Sequence, residues 1–408
     1  MRQILVTNSG ERFQMGRLLA REDLDLLVVT ERPFVADYPT GTPIVVVDSL
    51  NDPVATAEAV VRHGAGDRSA VVSLTERSAP AAGYLRGYLG LPGPSNDAVL
   101  NCTNKYAMNR RFRQAGLPVA DFRLAGSPGQ VRTAVAELGL PVLVKPVCGA
   151  GADAVVVVRT PKELDSPAMA DYYAALAAPE DPSRKAFPVL VEQYLDVVEE
   201  YHCDGLVVDH QVRHARTSRY LRPVLDHRSG LFGSMTLPAT DALAGEVRAL
   251  HDAAVRAVGL GTGVTHFEAL RTSDGLFAGE LAARPGGGGI RRMLELRDGF
   301  DSMAAHLDVC LGREHSWAPA DAAGEVLQVM LPAARGTVRS ISTAEELLKV
   351  PGVVEADMRL SPGDVVGGLM DSATVSGIVH ARVAGERDAE AVLSALRTAF
   401  RLTVDQED

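Results

Sequence analysis

Over roughly the first ninety residues, short apolar β-branched runs alternate with helical stretches, and Ile4 to Thr7, Leu26 to Thr30, Ile44 to Val47 and Ala70 to Leu74 read as strands. Runs this short and this apolar suit strands buried on both faces, so residues 1–95 predict a parallel sheet in a Rossmann-like first domain. The turn after the first strand, Asn8-Ser9-Gly10, lacks the G-x-G-x-x-G order and reads as a plain tight turn. A Gly/Pro-rich passage from Gly90 to Ser95 marks a boundary. Residues 96–324 then form a second region. It opens with a helix from Asn101 to Ala115, stopped by Gly116 and Pro118, and carries a small α/β insert over about 127–205. The strands of that insert are Val142 to Lys145, Ala154 to Arg159 and Val189 to Gln193, and a further helix runs from about Ile290 to Leu311. Past Gly324 the pattern changes to short strands (Glu325 to Leu331, Val353 to Leu360, Ser376 to Val383) and a helix at Ala389 to Phe400. Residues 325–408 therefore predict a small α+β closing domain.

The most informative stretch is V-T-H-F-E-A-L-R-T-S-D-G-L-F-A-G-E-L-A-A-R-P-G-G-G-G, from Val264 to Gly289. Glu268 and Glu280 are equally far from Asp274, so an odd-numbered loop around that residue makes them direct cross-strand neighbours, with Cβ atoms roughly 4.5–5.5 Å apart. Alternation places His266, Glu268, Glu280 and Arg284 on one face and Phe267, Ala269, Leu281 and Ala283 on the other. Two facing carboxylates repel unless both reach water or a hard cation such as Mg²⁺ takes oxygen ligands from each. A solvated hairpin face is the alternative reading of these residues alone.

Bulk composition narrows the classes. The 408 residues suffice for about two to three domains, and 46% hydrophobic with 23% charged is ordinary for a globular chain. A net charge of −11 gives no general basic footprint for nucleic acid or an anionic membrane, so an anionic ligand must be held by local positive charge. Cys102, Cys148, Cys203 and Cys310 are scattered, without C-x-x-C or zinc-like spacing, and read as reduced thiols of a cytoplasmic protein. No apolar run approaches the roughly 20 residues of a membrane span.

Lys145 stands in P-V-L-V-K-P at a strand end, directly before Cys148-Gly149-Ala150-Gly151-Ala152-Asp153. A lysine beside a loop of small residues is suited to gripping phosphate oxygens, although the Walker order is absent and a solvent-facing lysine before a hairpin turn fits the same residues. Four ordered motifs together are similar to the ATP-grasp superfamily, in particular its carboxylate-amine ligases such as the bacilysin-type L-amino-acid dipeptide ligases and carnosine synthase. They are N-K-Y-A-M-N-R-R-F-R-Q-A-G-L-P-V around Lys105, P-V-L-V-K-P-V-C-G-A-G-A-D around Lys145, V-L-V-E-Q-Y-L-D-V-V-E-E-Y-H-C-D-G around Glu192, and H-F-E with G-E-L-A-A-R-P-G-G-G-G. The resemblance implies an ATP-grasp fold with a mobile lid subdomain. Lys105 and Lys145 would bind ATP phosphates under a flap that includes Gly149 and Gly151. Glu192 would accept from the adenine amino group, and the backbones of Gln193 and Leu195 would meet the ring. Glu200 best matches the ribose-binding glutamate, with Glu199 as the alternative because this turn carries one extra residue. Glu268 and Glu280 match the Mg²⁺ ligands, and Arg284 resembles the arginine that steadies the acyl phosphate or the incoming carboxylate. Many relatives have Asn two residues after the second metal glutamate, where this chain has Ala282. Relatives are commonly homodimers; no interface stripe is legible here.

That resemblance implies a ligase in which a carboxylate attacks the γ-phosphate of ATP and the acyl phosphate is opened by an amine. Its partners are small molecules, with ATP and Mg²⁺ as cofactors. The competing readings are a biotin-carboxylase-like carboxylation, disfavoured by the lack of an M-K-M biotin site, and a catalytically silent nucleotide-binding regulator. His202 and Asp204 read as structural strand neighbours rather than a catalytic pair, and His266 either orients a ligand through Glu268 or packs in the sheet. Within the basic run 213–222, Arg219 is the candidate phosphate or substrate contact. Arg12, Arg77 and Arg222 are each able to clamp a substrate carboxylate or to lie on the surface, and Trp317 reads as a packing residue.

Overall fold

The computed structural model describes residues 2–6, 21, 23–64, 68–149, 154–177, 188–226, 230–320, 324–367 and 374–405. The four apolar runs at the start form a wholly parallel sheet in the order Ile44–Val47, Asp25–Glu31, Arg2–Val6, Ala70–Ser73. Helices Pro53–Arg62 and Ala79–Leu89 cover one face through Ala57, Val60, Ala81 and Leu85. The opposite face packs on Leu307, Cys310 and Leu311, at and just beyond the helix Ser302–Cys310, so a segment some 230 residues downstream completes this core. Burial on both faces is what the unbroken apolar runs required.

A four-stranded antiparallel sheet follows, ordered Phe122–Ala125, Val189–Gln193, Val142–Pro146, Val156–Val158, with Val131, Ala134, Leu164 and Met169 filling one side. Its edge strand Phe122–Ala125 lies before the expected start of the insert at 127. The largest element is an eight-stranded antiparallel sheet. Its order is Gly275–Ala282, Gly263–Thr272, Glu199–Val208, Gln211–Tyr220, Phe232–Thr236, Glu325–Pro332, Val375–Val383, Val353–Met358. This sheet runs straight through the boundary expected at 325, because Phe232–Thr236 pairs directly with Glu325–Pro332. One face buries Tyr201, Phe267, Leu281 and Val329 against the helix Ala242–Val258 and its neighbours. The other carries the polar residues described below. A three-stranded sheet of Val365–Val366, Gly336–Ile341 and Leu402–Asp405 completes the described strands.

Three local features depart from the pattern, each for a stereochemical reason. The helix expected over Asn101 to Ala115 is two helices, Asn96–Thr103 and Lys105–Gln114. Asn104, at φ −95° and ψ 103°, leaves the helical region and its side-chain oxygen accepts from Tyr106 N (3.0 Å) and Ala107 N (3.1 Å). Lys105 is thereby the first residue of a capped helix. The helix expected from Ile290 to Leu311 is likewise broken into Ile290–Asp298 and Ser302–Cys310. Gly299 sits between them at φ +71°, where a Cβ would lie 2.4 Å from the Ala318 carbonyl.

The third departure is in the hairpin. Thr272 pairs with Gly275, so the turn has two residues, Ser273 and Asp274, and not an odd number. A regular ladder from that turn would set Glu268 opposite Gly279. A bulge between Glu268 and Ala269 shifts the register by one, and Glu268 pairs with Glu280 after all. The extra residue is Gly279, whose missing Cβ would lie 3.0 Å from the Glu268 carbonyl. Among the described residues no helix is long and apolar enough to cross a membrane.

Replacing Asn104 with alanine removes the one side-chain oxygen that accepts both cap bonds and is expected to lower stability by about 0.5–2 kcal/mol. A shifted urea midpoint checks this; an unchanged one would mean that other groups cap the helix bearing Lys105.

Candidate active site

The non-core face of the large sheet gathers its chemistry by two-residue alternation. Glu200, His202 and Asp204 point the same way along one strand, His266 and Glu268 along the next, and Glu280 along the edge strand. Glu268 and Glu280 are register partners, each about three-quarters buried. Lys105 reaches them from its capped helix start: Nζ donates to Glu280 Oε1 at 2.8 Å and to the Gly149 carbonyl at 2.6 Å. Its backbone N–H bonds the Val147 carbonyl at 2.8 Å, which ties the helix to the end of the strand carrying Lys145. Glu268 Oε1 is held more loosely, 3.4 Å from the Tyr220 hydroxyl and 3.5 Å from His266 Nε2.

Across the cleft, the four-stranded sheet supplies Lys145 and Glu192 on adjacent strands, with Lys145 Nζ 2.5 Å from Glu192 Oε2. Glu192 is buried and its second oxygen accepts from Asn109 Nδ2 at 2.6 Å, so helix Lys105–Gln114 and this sheet share one carboxylate. Beyond Glu192 the Gln193 N–H bonds the Asp121 carbonyl (2.8 Å) and the Tyr194 N–H bonds the Pro141 carbonyl (3.1 Å). Gly149 is exposed at φ +139°, and Gly151 lies outside the described residues.

Between Glu199 and Glu200 the two faces decide. Glu200 shares the face of Glu268, is buried, and accepts from Val224 N at 2.8 Å. Glu199 turns the other way, to Arg271 (2.7 Å), Arg219 (3.1 Å) and the Tyr201 hydroxyl (2.8 Å). Arg219, the expected phosphate or substrate contact, therefore belongs to an ion-pair group with Glu199 and Glu386 on the far face. Arg77 likewise pairs with buried Glu31 at 2.5 Å within the first domain, and Arg12 lies outside the described residues. Trp317 packs edge-on to Phe300 at 5.1 Å, as a packing residue should.

Two features escaped sequence reading. Glu76, in the loop after strand Ala70–Ser73, crosses from the first domain into the cleft and accepts from Arg284 Nε at 2.8 Å. Its other oxygen, Oε1, is buried with no hydrogen-bond partner. Nothing in T-E-R-S marks it, because its role depends on which loop the parallel sheet delivers to the cleft. The second is the bonding that joins His202 and Asp204, read above as structural strand neighbours, to His266 in one buried chain. Asp204 joins His202 Nδ1 (2.6 Å) and His266 Nδ1 (2.9 Å), and His202 Nε2 meets the Ser234 hydroxyl at 2.8 Å. The three residues would offer metal-ligating atoms within 4.8 Å of one another, but those bonds already commit both carboxylate oxygens and both Nδ1 atoms.

Charge follows geometry. Burial opposes the Lys105 ammonium, yet the Glu280 and Glu76 charges more than offset it and hold its pKa above the ordinary value. Burial raises Glu76 against the pull of Arg284. Burial and the neighbouring Glu268 push Glu200 up to about 8. For Glu268 burial is outweighed by the hydrogen bond and charge of His266, and its pKa lies below the usual carboxylate value. His266 is driven the other way, up to about 10, because Asp204 outweighs burial. Lys105 and His266 flank two facing carboxylates made of hard oxygen donors, a set that fits a divalent ion such as Mg²⁺.

Comparisons with known proteins bear on the family and the fold. Residues 329–405 match the family described as L-amino acid ligase C-terminal domain 2. The L-arginine-specific L-amino acid ligase of Bacillus subtilis is 28% identical over 338 residues, 83% of this chain and 80% of that protein. The crystal structure of an L-amino acid ligase from Bacillus licheniformis superposes with a TM-score of 0.77 at 18% identity, covering 100% of this chain and 99% of that one. The biotin carboxylase domain of Hydrogenobacter thermophilus 2-oxoglutarate carboxylase, in complex with MgADP and bicarbonate, gives 0.67 at 13%, covering 98% and 90%. The fold is that of the ATP-grasp enzymes.

A carboxyl whose folded pKa is raised binds a proton that the unfolded chain has released. The stability contributed by Glu200 is thus complete below about pH 4.5 and lost as pH rises toward about 8. Glu200→Gln is expected to gain unfolding free energy relative to wild type across that window; a difference independent of pH would contradict the assignment.

Proposed function

We propose that this chain, which belongs to the ATP-grasp carboxylate-amine ligases, activates the carboxylate of an amino acid as an acyl phosphate and joins it to an amine. A substrate carboxylate oxygen attacks the γ-phosphorus and ADP departs. The amine then attacks the acyl carbon, phosphate leaves with the C–O electron pair, and the nitrogen gives up its proton to form the amide. The observation that carries this reading is the register pair Glu268 and Glu280 with Lys105 on one of them, opposite Lys145 on the neighbouring sheet.

Two anions must meet in the first step, and the side chains are arranged to offset their repulsion. Lys105 and Lys145 are suited to the phosphates: one stands at a capped helix start and the other at a strand end. The Gly149 loop, anchored through Lys105, would cover them. Glu192, expected to accept from the adenine amino group, has both oxygens engaged by Lys145 and Asn109, and clamped in this way it would fix the strand whose continuation, Gln193 to Leu195, would meet the adenine. Glu200 is the better ribose partner because Glu199 faces away. Glu268 and Glu280 would hold Mg²⁺, which when bound neutralises phosphate charge and polarises the γ-phosphoryl group. Arg284 would steady the acyl phosphate. The orphan Oε1 of Glu76 is a buried acceptor beside Arg284, suited to the ammonium of an amino-acid substrate.

ADP release across a panel of carboxylate and amine pairs, with product masses, tests this. Amine-dependent ADP formation with a dehydrated adduct is expected, and Glu280→Gln should lower kcat by about 100-fold or more. ADP formation that needs only bicarbonate and free biotin would move the chain to carboxylation, and tight ATP binding with no turnover would make it a regulator. Glu76→Gln is expected to raise the amino-acid KM by roughly 10- to 150-fold, the loss of one charge-assisted hydrogen bond. An unchanged KM would remove Glu76 from substrate binding.

A further inference from the structure

The buried chain from Ser234 to Glu268 ends on a proposed metal ligand, and its centre also supports the loop that carries Arg284. Asp204 is 1% exposed and His202 is fully buried. Both Asp204 oxygens are engaged: Oδ2 accepts from His202 Nδ1 and Oδ1 from His266 Nδ1. With its Nδ1–H given to Asp204, His266 meets Glu268 only through Nε2, at 3.5 Å, and it does so as a donor, since a bare ring nitrogen would repel a carboxylate. The ring cannot swing away without breaking the Asp204 bond. Over the same pair lies Gly286, two residues past Arg284. A Cβ there would stand 2.8 Å from Asp204 Oδ1 and 3.0 Å from His266 Nδ1. The glycine thus lets the Arg284 loop seat directly on the Asp204–His266 bond. On its other side the chain passes through His202 to Ser234, 3.5 Å from Gln328 on the strand that continues the sheet into the last domain.

We infer that Asp204 and His266 are positioning residues: Asp204 locks the His266 ring, and His266 aims the Glu268 carboxylate, so that metal ligand and Arg284 loop are both registered against one buried anion. This rests on the reading of Glu268 as a metal ligand. Outer partners that orient ligating groups typically change metal affinity by about 10- to 100-fold when removed.

The test is a Mn²⁺ titration by electron paramagnetic resonance of the full chain in the presence of ADP, with thermal melts on the same samples. His266→Leu and Asp204→Asn are expected to weaken Mn²⁺ binding by about 10- to 100-fold, and His266→Gln, which keeps a donor, to recover part of the loss. Gly286→Ala leaves both side chains in place but presses on their bond, and should weaken Mn²⁺ in the same direction, so the idea stays testable if Asp204→Asn does not fold. Folded His266→Leu and Gly286→Ala proteins that bind Mn²⁺ as the wild type does would overturn it. Because the readout is metal binding, it answers even if no carboxylate and amine pair proves to be ligated.

Discussion

Two carboxylates held opposite each other on neighbouring strands are an electrostatic cost that the rest of the molecule is organised to meet. Glu268 and Glu280 are register partners, partly shielded from water, and the backbone allows neither to retreat. Around them stand Lys105 from a capped helix, His266 fixed by Asp204, and Arg284 fixed by Glu76. Each of those cations is itself tied to a carboxylate or carbonyl, so the positive charge is preorganised rather than recruited. A sheet that spends a facing pair of positions in this way, one on its edge strand and one on the strand beside it, gives up the stability that apolar or neutral pairs would provide.

The architecture separates stability from chemistry by face. Tyr201, Phe267, Leu281 and Val329 bury one side of the eight-stranded sheet, and the intervening residues project the site from the other. The pairing of Phe232–Thr236 with Glu325–Pro332 makes the last domain an extension of the same sheet, and helix Ser302–Cys310 closes the core of the first. The loop bearing Glu76 is therefore held against the cleft by packing on both sides of its sheet.

Where a structural decision is local and periodic, it was readable in the sequence. The four parallel strands, the alternation that puts Glu268 and Glu280 on one face, and Lys145 at its strand end all follow from runs of a few residues. The hairpin pairing was anticipated for the wrong reason: the turn is two residues, and only the bulge at Gly279 restores the register. Asn104 sat inside a continuous helical pattern, where one residue's φ and ψ outweigh ten residues' periodicity. Although the two strand neighbours and the place of His266 beside Glu268 were readable, Glu76, the true partners of Arg219 and the bonds that join His202, Asp204 and His266 were not. Their roles depend on contacts across about 20 to more than 200 positions, and a two-residue alternation fixes a face but not which partner waits there.

The most direct test is anomalous diffraction from crystals grown with ADP and Mn²⁺. The account predicts a peak bridging a carboxylate oxygen of Glu268 and one of Glu280, at coordination distances of roughly 2 Å from each. A fully occupied peak that touches neither, for instance one seated instead among His202, Asp204 and His266, would contradict it.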